Sequence, residues 1–281
     1  MISTLQAIIR DVTADVEQRK ARRPLAELKE LCGGAPAPRD ATAALCRGGC
    51  SVIAEIKRAS PIKGPIRGVL DQGTEASELA AKFADSGARL IGCHTERRAF
   101  QGSLEDLAAV RRAVSVPIIC RDIMVDPYQI HEARLYGTDV IPLLVSALGQ
   151  AQLESMLERV EQLGMTAMVE VHSAEEASRA VAAGATVIGV NARNLQTLTL
   201  NRNRFAEIAP CLPASTIKVA LSGVRTPQDL MAYAGAGADA VVIGTGLVAS
   251  EDPAALCRAL VAAGQHPSCP SCRKPGEPRV H

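Results

Sequence analysis

GARLIGCH, residues 87–94, is a phrase the chain repeats, as GTDVIPLL at 137–144, GATVIGVN at 184–191 and GADAVVIG at 237–244. Each version opens on a glycine that ends a helical pattern, allows two linking residues, and runs into an apolar strand. The spacing is about fifty residues, too long for one strand–helix unit and right for two. The strands needed between them are present: SVPIICRD from Ser115, MTAMVEV from Met165 and IKVALSG from Ile217. With VIAEIK from Val52 they make eight. Helical segments such as SLEDLAAVRRAV, SAEEASRAVAAG and TPQDLMAYAGAG separate them, several headed by a Ser or Thr that can cap the first turn. The expected fold is α/β, a TIM (β/α)8 barrel. An open doubly wound sheet is the alternative, and the even repetition and the lack of a GxGxxG after the first strand weigh against it.

Two helices are expected ahead of the barrel. In MISTLQAIIRDVTADVEQRK, Leu5, Ile8, Ile9, Val12 and Val16 fall at helical spacing, broken by charge; this reads as an amphipathic helix rather than a signal peptide. LAELKELC reads as a second, ended by Gly33-Gly34. The expected organisation is a helical extension over 1–48 that covers a barrel end or a sheet edge, a barrel over 49–264, and a disordered tail over 265–281. That tail holds Cys269 and Cys272 at CxxC spacing with His266 nearby. A second pair of soft ligands is missing, so no metal is expected there.

Net charge of +1 gives no broad attraction to nucleic acid or membrane, and 2% aromatic residues leave little for stacking on bases. No apolar run is long enough to span a bilayer. Scattered cysteines, nine in all, read as small buried hydrophobes of a reducing compartment, so a cytoplasmic protein is expected.

In such a barrel, chemistry belongs at the C-terminal ends of the strands. Alternation sets Glu55 and Lys57 on one face of the first strand, and an acid and a base there are costly unless they face a ligand or partners. The second strand ends in His94-Thr95-Glu96, the third in Arg121-Asp122. Glu170 follows in the fifth, Asn191 and Arg193 in the sixth, Ser222-Gly223 in the seventh and Gly244-Thr245-Gly246 in the eighth. Small residues before a helix at the last two strands suit an anion, so a phosphate is expected there. Glu170 lies between valines, where desolvation raises a carboxyl pKa towards neutrality; the bland alternative is a structural glutamate paired with Lys57. Arg193 could clamp a carboxylate or phosphate. His94 reads as a satisfied wall residue.

These residues sit in motifs that resemble the indole-3-glycerol phosphate synthase family: AEIKRASP, FQGSLEDLAAVR from Phe100, DPYQIHEAR from Asp126, LGMTAMVEVH from Leu163, IGVNARNL from Ile188 and SGVRTPQDL from Ser222. The resemblance implies a cofactor-free lyase, without metal. It would close the pyrrole ring of 1-(2-carboxyphenylamino)-1-deoxyribulose 5-phosphate and release carbon dioxide and water. It further implies that Glu55, Lys57, Arg121, Glu170 and Asn191 lie in the catalytic pocket, with Lys57 bridging substrate anions. Ser60, Phe100, Arg193 and Ser222 would hold the substrate, and Gly223, Gly244 and Thr245 its phosphate. The expected partner is this phosphorylated small molecule, with the protein a monomer or weak homo-oligomer.

The match also departs from type. Arg121 stands where the family has a lysine general acid, Leu221 where it has a glutamate, Ile123 for a phenylalanine and His94 for an aliphatic residue; Ile62 replaces the serine of SPSKG. Arginine is cationic at any working pH and a poor proton donor. The other readings are a paralogue with altered chemistry on a related amino-sugar phosphate and, behind it, a non-catalytic phosphate-ligand barrel.

Overall fold

The computed structural model of the 281-residue chain describes residues 3–68, 70 and 73–270. Eight parallel strands close into a barrel: β1 Ser51–Ile56, β2 Leu90–His94, β3 Ile118–Arg121, β4 Val140–Leu144, β5 Thr166–Val171, β6 Val187–Asn191, β7 Ile217–Leu221 and β8 Ala240–Ile243. Each strand pairs with its neighbours in chain order, and β8 returns to β1 with Ser51 opposite Ala240. The expected barrel is the observed one. Helices α4 (Ala76–Asp85), α5 (Leu104–Ala113), α6 (Pro127–Leu135), α7 (Gln150–Gln162), α8 (Ala174–Ala182), α9 (Arg204–Ile208), α10 (Pro227–Gly235), α11 (Thr245–Val248) and α12 (Pro253–Gln265) follow the strands.

Period-two alternation sorts the strand residues into two cores. Ile53, Leu90, Ile119, Met168, Val187 and Val242 point inward and fill the barrel. Their chain neighbours, such as Ala54, Ile91, Ile118 and Val169, point outward against the helices. The extension uses both ends of this scaffold. Helix α1 (Thr4–Arg22) lays Leu5, Ile8, Val12 and Val16 with Leu28 of α2 (Leu25–Gly33) against Ile123, Tyr128 and Leu144 near the C-terminal rim. A short α3 (Ala41–Leu45), absent from the sequence reading, puts Ala41, Ala44 and Leu45 into the interior cluster at the opposite end. Its one sequence signal is Asp40, whose carboxylate accepts from the Ala43 amide. At that end Asp139 accepts from Arg39 N, Arg111 Nη1 and Ile118 N at 2.7–3.1 Å and so ties the extension to the strands.

The two halves of the barrel repeat this joint. Asp139 takes the Ile118 amide at 2.8 Å, and Asp239, numbered 100 higher, takes that of Lys218 at 2.7 Å, also 100 higher. The helices between share the pattern: α6 starts with a capping box from Asp126 to Gln129 and α10 with one from Thr226 to Asp229, each with proline at its first position.

The stretch expected as a tail from residue 265 starts with the last residue of α12. The next residues form a turn in which Cys269 N donates to His266 O at 2.8 Å. Cys269 is buried and Pro270 lies against Gly235, so the chain is still packed on the barrel through residue 270. Cys272 and the rest of that stretch lie outside the described residues. Among the described residues no helix is long and apolar enough to cross a membrane.

Candidate active site

At the C-terminal rim the inward positions turn from apolar to ionic. Glu55, Arg121 and Glu170 each sit one inward step beyond a residue of the apolar layer, and Asn191 sits two beyond Val187, past Gly189; Glu55 and Glu170 are both only 4% exposed. Glycines at two inward positions leave room for their long neighbours. A Cβ on Gly92 would press on Arg121 Cγ at 3.2 Å, and one on Gly189 would meet Leu221 Cδ1 at 2.5 Å. The result is a cavity of about 530 Å³, and all twelve residues singled out in the sequence line it: Glu55, Lys57, Ser60, Phe100, Arg121, Glu170, Asn191, Arg193, Ser222, Gly223, Gly244 and Thr245.

The charges form one connected set. Lys57 Nζ donates to Glu55 Oε2 at 2.7 Å, and Arg121 Nε donates to Glu55 Oε1 at 3.0 Å. The same guanidinium donates through Nη1 to Glu170 Oε1, so Arg121 spans the two carboxylates. The alternative of a Lys57–Glu170 pair does not hold: the lysine is held by the acid two residues before it, and the arginine reaches Glu170. Burial pushes the Glu55 carboxyl up, but Lys57, His94 and Arg121 outweigh it and hold the group well below the usual carboxylate range. Burial likewise works against the Arg121 charge, yet Glu170 and Glu55 raise it above the ordinary arginine value. Asn191 Nδ2 reaches Glu170 Oε2 at 3.5 Å, and its Oδ1 accepts from Ser222 Oγ at 2.9 Å and from Arg193 N at 3.0 Å. One amide thus links the glutamate to the loops after β6 and β7.

Ser222 and Gly223 have consecutive positive φ angles of 68° and 89°, a backbone concavity of the kind that collects anions. Facing it, Gly244 comes so close to the acid–lysine pair that a Cβ there would lie 2.3 Å from Glu55 Oε2 and 3.0 Å from Lys57 Nζ. The absent side chain is what brings this turn against the ionic centre. Arg193 spends part of its guanidinium on its own loop, donating to Leu198 O at 2.8 Å, and presents the remainder to the cavity. Ser60 Oγ accepts from Lys63 N across a two-residue hairpin, Ala59–Ser60 with Gly64–Pro65, that the sequence reading did not contain.

Other wall residues were given no role from the sequence. Glu96, buried, accepts from the amides of Arg98, Ala99 and Phe100 and so shapes the loop that lays Phe100 on the His94 ring, with centroids 4.3 Å apart and planes 18° from parallel. His94 is a wall residue as expected, but not a satisfied one: neither ring nitrogen makes a hydrogen bond of good geometry. Leu144, Leu195, Leu198 and Leu200 complete the apolar side, and only contact across the barrel reveals them.

Asp122 also lines the cavity, accepting from Thr95 Oγ1 at 2.7 Å and Ile123 N at 2.8 Å. Burial pushes its carboxyl from 3.8 to about 6, against the pull of those two donors. A carboxyl raised on folding binds a proton more tightly in the folded state. Its contribution therefore declines as pH rises through the window between the two values and is lost above the folded one. In Asp122→Asn, Ile123 keeps its acceptor and the titration is gone. The variant's melting temperature, relative to that of the parent, should climb from about pH 4 to about pH 6 and then level off. Parallel thermal melts across that range measure it, and a pH-independent difference refutes the account.

Two small-residue turns set against buried ionisable groups at the C-terminal rim mark the site of a barrel enzyme. The chain belongs to the indole-3-glycerol phosphate synthase family: the model of that family, "Indole-3-glycerol phosphate synthase", matches residues 5–260. Curated relatives of that name from Mycolicibacterium vanbaalenii and Rhodococcus jostii are each 56% identical, over 95% and 96% of this chain and 97% and 98% of theirs. One from Saccharopolyspora erythraea is 54% identical over 96% of this chain and 98% of its own. Among solved structures, 3-hexulose-6-phosphate synthase from Salmonella typhimurium aligns with a TM-score of 0.61 at 13% identity, over 76% of this chain and 97% of that one. Thiamine phosphate pyrophosphorylase from Pyrococcus furiosus aligns at 0.57 and 14%, over 76% and 94%. These two likenesses carry the barrel and nothing further.

Proposed function

We propose that this pocket closes and decarboxylates 1-(2-carboxyphenylamino)-1-deoxyribulose 5-phosphate to indole-3-glycerol phosphate. The observation that carries the reading is the meeting of Glu55, Lys57, Arg121 and Glu170 in one cavity beside the turns at Ser222–Gly223 and Gly244–Thr245, in a chain matched by the family model. The phosphate binds to the backbone N–H groups of Gly223, Gly244 and Thr245 and to the Thr245 hydroxyl, with Ser222 beside them. The aromatic end extends toward Phe100 and the leucine wall, and Ser60 and Arg193 take its carboxylate.

In ring closure the aromatic carbon bearing the carboxylate attacks the sugar ketone, whose oxygen gains negative charge and then a proton. Lys57 is the proton donor in this scheme, because the guanidinium at position 121 holds its proton too tightly to give it up. Arg121, cationic throughout, stabilises the oxyanion. Loss of carbon dioxide returns its electron pair to the ring. The hydroxyl then leaves as water with a second proton from Lys57, recharged from solvent, while Glu170, oriented by Asn191, takes the proton from the neighbouring carbon and returns it to solvent. One substrate, as the carboxylate, and one proton give one indole-3-glycerol phosphate, one carbon dioxide and one water. All the groups used come from a single chain, in keeping with a monomer or weak homo-oligomer, and the setting we infer is the cytoplasm.

Indole fluorescence with purified protein and the carboxyphenylamino sugar phosphate tests this, alongside carbon dioxide release. Product and gas in equal amounts support the assignment. Tight binding of the substrate without either product refutes the chemistry, and absence of binding refutes the substrate.

A further inference from the structure

Three donors converge on the Glu55 carboxylate, two of them on the same oxygen. Oε2 is taken by Lys57. Oε1 is approached from two sides, by Arg121 Nε at 3.0 Å and by His94 Nε2 at 3.1 Å. Arg121 has the better geometry, and His94, 6% exposed, is left off the line of a good hydrogen bond from either ring nitrogen. A buried imidazole without a proper partner is a cost the fold does not ordinarily carry. It is held there by the Phe100 ring, itself anchored through its amide to Glu96.

Arg121 is also the group with a second obligation. In the proposed reaction it turns to the anion that develops on the substrate, and any movement of its guanidinium toward the cavity frees Glu55 Oε1. Glu55 would then be free to rotate, and Lys57, two residues away on the same strand face, would lose its orientation. We propose that His94 is a positioning residue that takes over Oε1 when Arg121 engages the substrate, and so keeps Glu55 turned to Lys57 through the chemical step. The unsatisfied ring is the standby donor of this handover. It needs no proton of its own to move: burial keeps His94 mostly neutral, at about 4, and a neutral ring with hydrogen on Nε2 donates as required. The proposal rests on the assignment of the reaction for its kinetic part, and not for its structural part.

Two measurements separate these. The first is nitrogen NMR of the full chain labelled at histidine, without substrate, in the parent and in Arg121→Met, which removes the competing donor. The expected result is a stronger His94 Nε2–H hydrogen bond in Arg121→Met, seen as a downfield proton and slowed exchange, and its loss when Glu55→Gln is added. An unchanged His94 signal overturns the handover whatever the enzyme's substrate. The second is kinetic. His94→Leu should lower kcat by about one to two powers of ten with KM within about twofold, since the loss is of alignment in the chemical step. His94→Gln, which restores an N–H donor, should recover most of it. A KM rise at constant kcat, a Leu variant as fast as the parent, or a Gln variant as slow as Leu each overturns the role. If the parent itself turns over nothing, the reaction assignment fails while the NMR result stands.

Discussion

Glu170→Gln should lose about two to four powers of ten in kcat, with little change in substrate affinity. The substitution keeps size and shape, and the amide oxygen can still accept from Arg121, so the pocket's packing survives. What disappears is the ability to take and return a proton. Glu170 is the carboxylate at which the arginine on one oxygen and Asn191 on the other converge, and those contacts fix where its lone pairs point. Single-turnover fluorescence separates binding from chemistry. A variant within tenfold of the parent would mean that another group handles the proton and that Glu170 is a counter-charge.

Arg121→Met should cost more in stability than any other single change in the pocket. The guanidinium is the only described side chain that the structure shows donating to both Glu55 and Glu170. Removing one member of a buried ionic group costs about 3–5 kcal/mol, because the charges left behind lose their partner without regaining water. For a chain of this length that is a drop of roughly 6–20 °C in melting temperature. The pH dependence has a definite sign. In the parent, Glu55 is held below the usual carboxylate range, so its contribution is present above the ordinary carboxylate pKa and is lost as pH falls through the depressed folded value. Without Arg121 that depression shrinks, and the deficit of the variant should narrow on acidification. Arg121→Lys keeps the charge but has one ammonium where the parent has two separated N–H edges, so it should fall between the two. A melting temperature for Arg121→Met within about 2 °C of the parent would show that the carboxylates do not need their bridge.

How much of this was legible in the sequence differs between the scaffold and the site. The barrel is written in a local code. A helix-ending glycine, two linkers and an apolar strand repeat with regular spacing, and each copy can be read without knowing the others. Alternation also put Glu55 and Lys57 on one face, and the family resemblance added loop positions such as Ser60 and Phe100; all twelve expected residues line one cavity. It gave no partners. That Lys57 belongs to Glu55, while Arg121 crosses to Glu170, depends on register between strands distant in the chain. In β1, Glu55 lies opposite Gly92 and, one strand further, Ile119; only that stagger sets Arg121 between the acids. The departure at Arg121 was visible as a changed residue type, but its bridging was not. His94 looked like an ordinary wall because nothing local says whether an imidazole has found a hydrogen bond. Helix α3 was missed for a different reason: five residues are too few for a hydrophobic period, and burial in the barrel mouth stabilises it rather than propensity.

The matched aspartates at 139 and 239 have one more implication. Counting from each in the same way, Arg121 and Leu221 hold equivalent places, as do Asp122 and Ser222, and Ile123 and Gly223. In the proposed reaction one copy of the motif supplies charge and the other grips the substrate's anchor, on scaffolds built alike. The molecule carries its own experimental control. A perturbation applied to both copies imposes a similar mechanical burden twice, and whatever differs between the twins belongs to their divided labour.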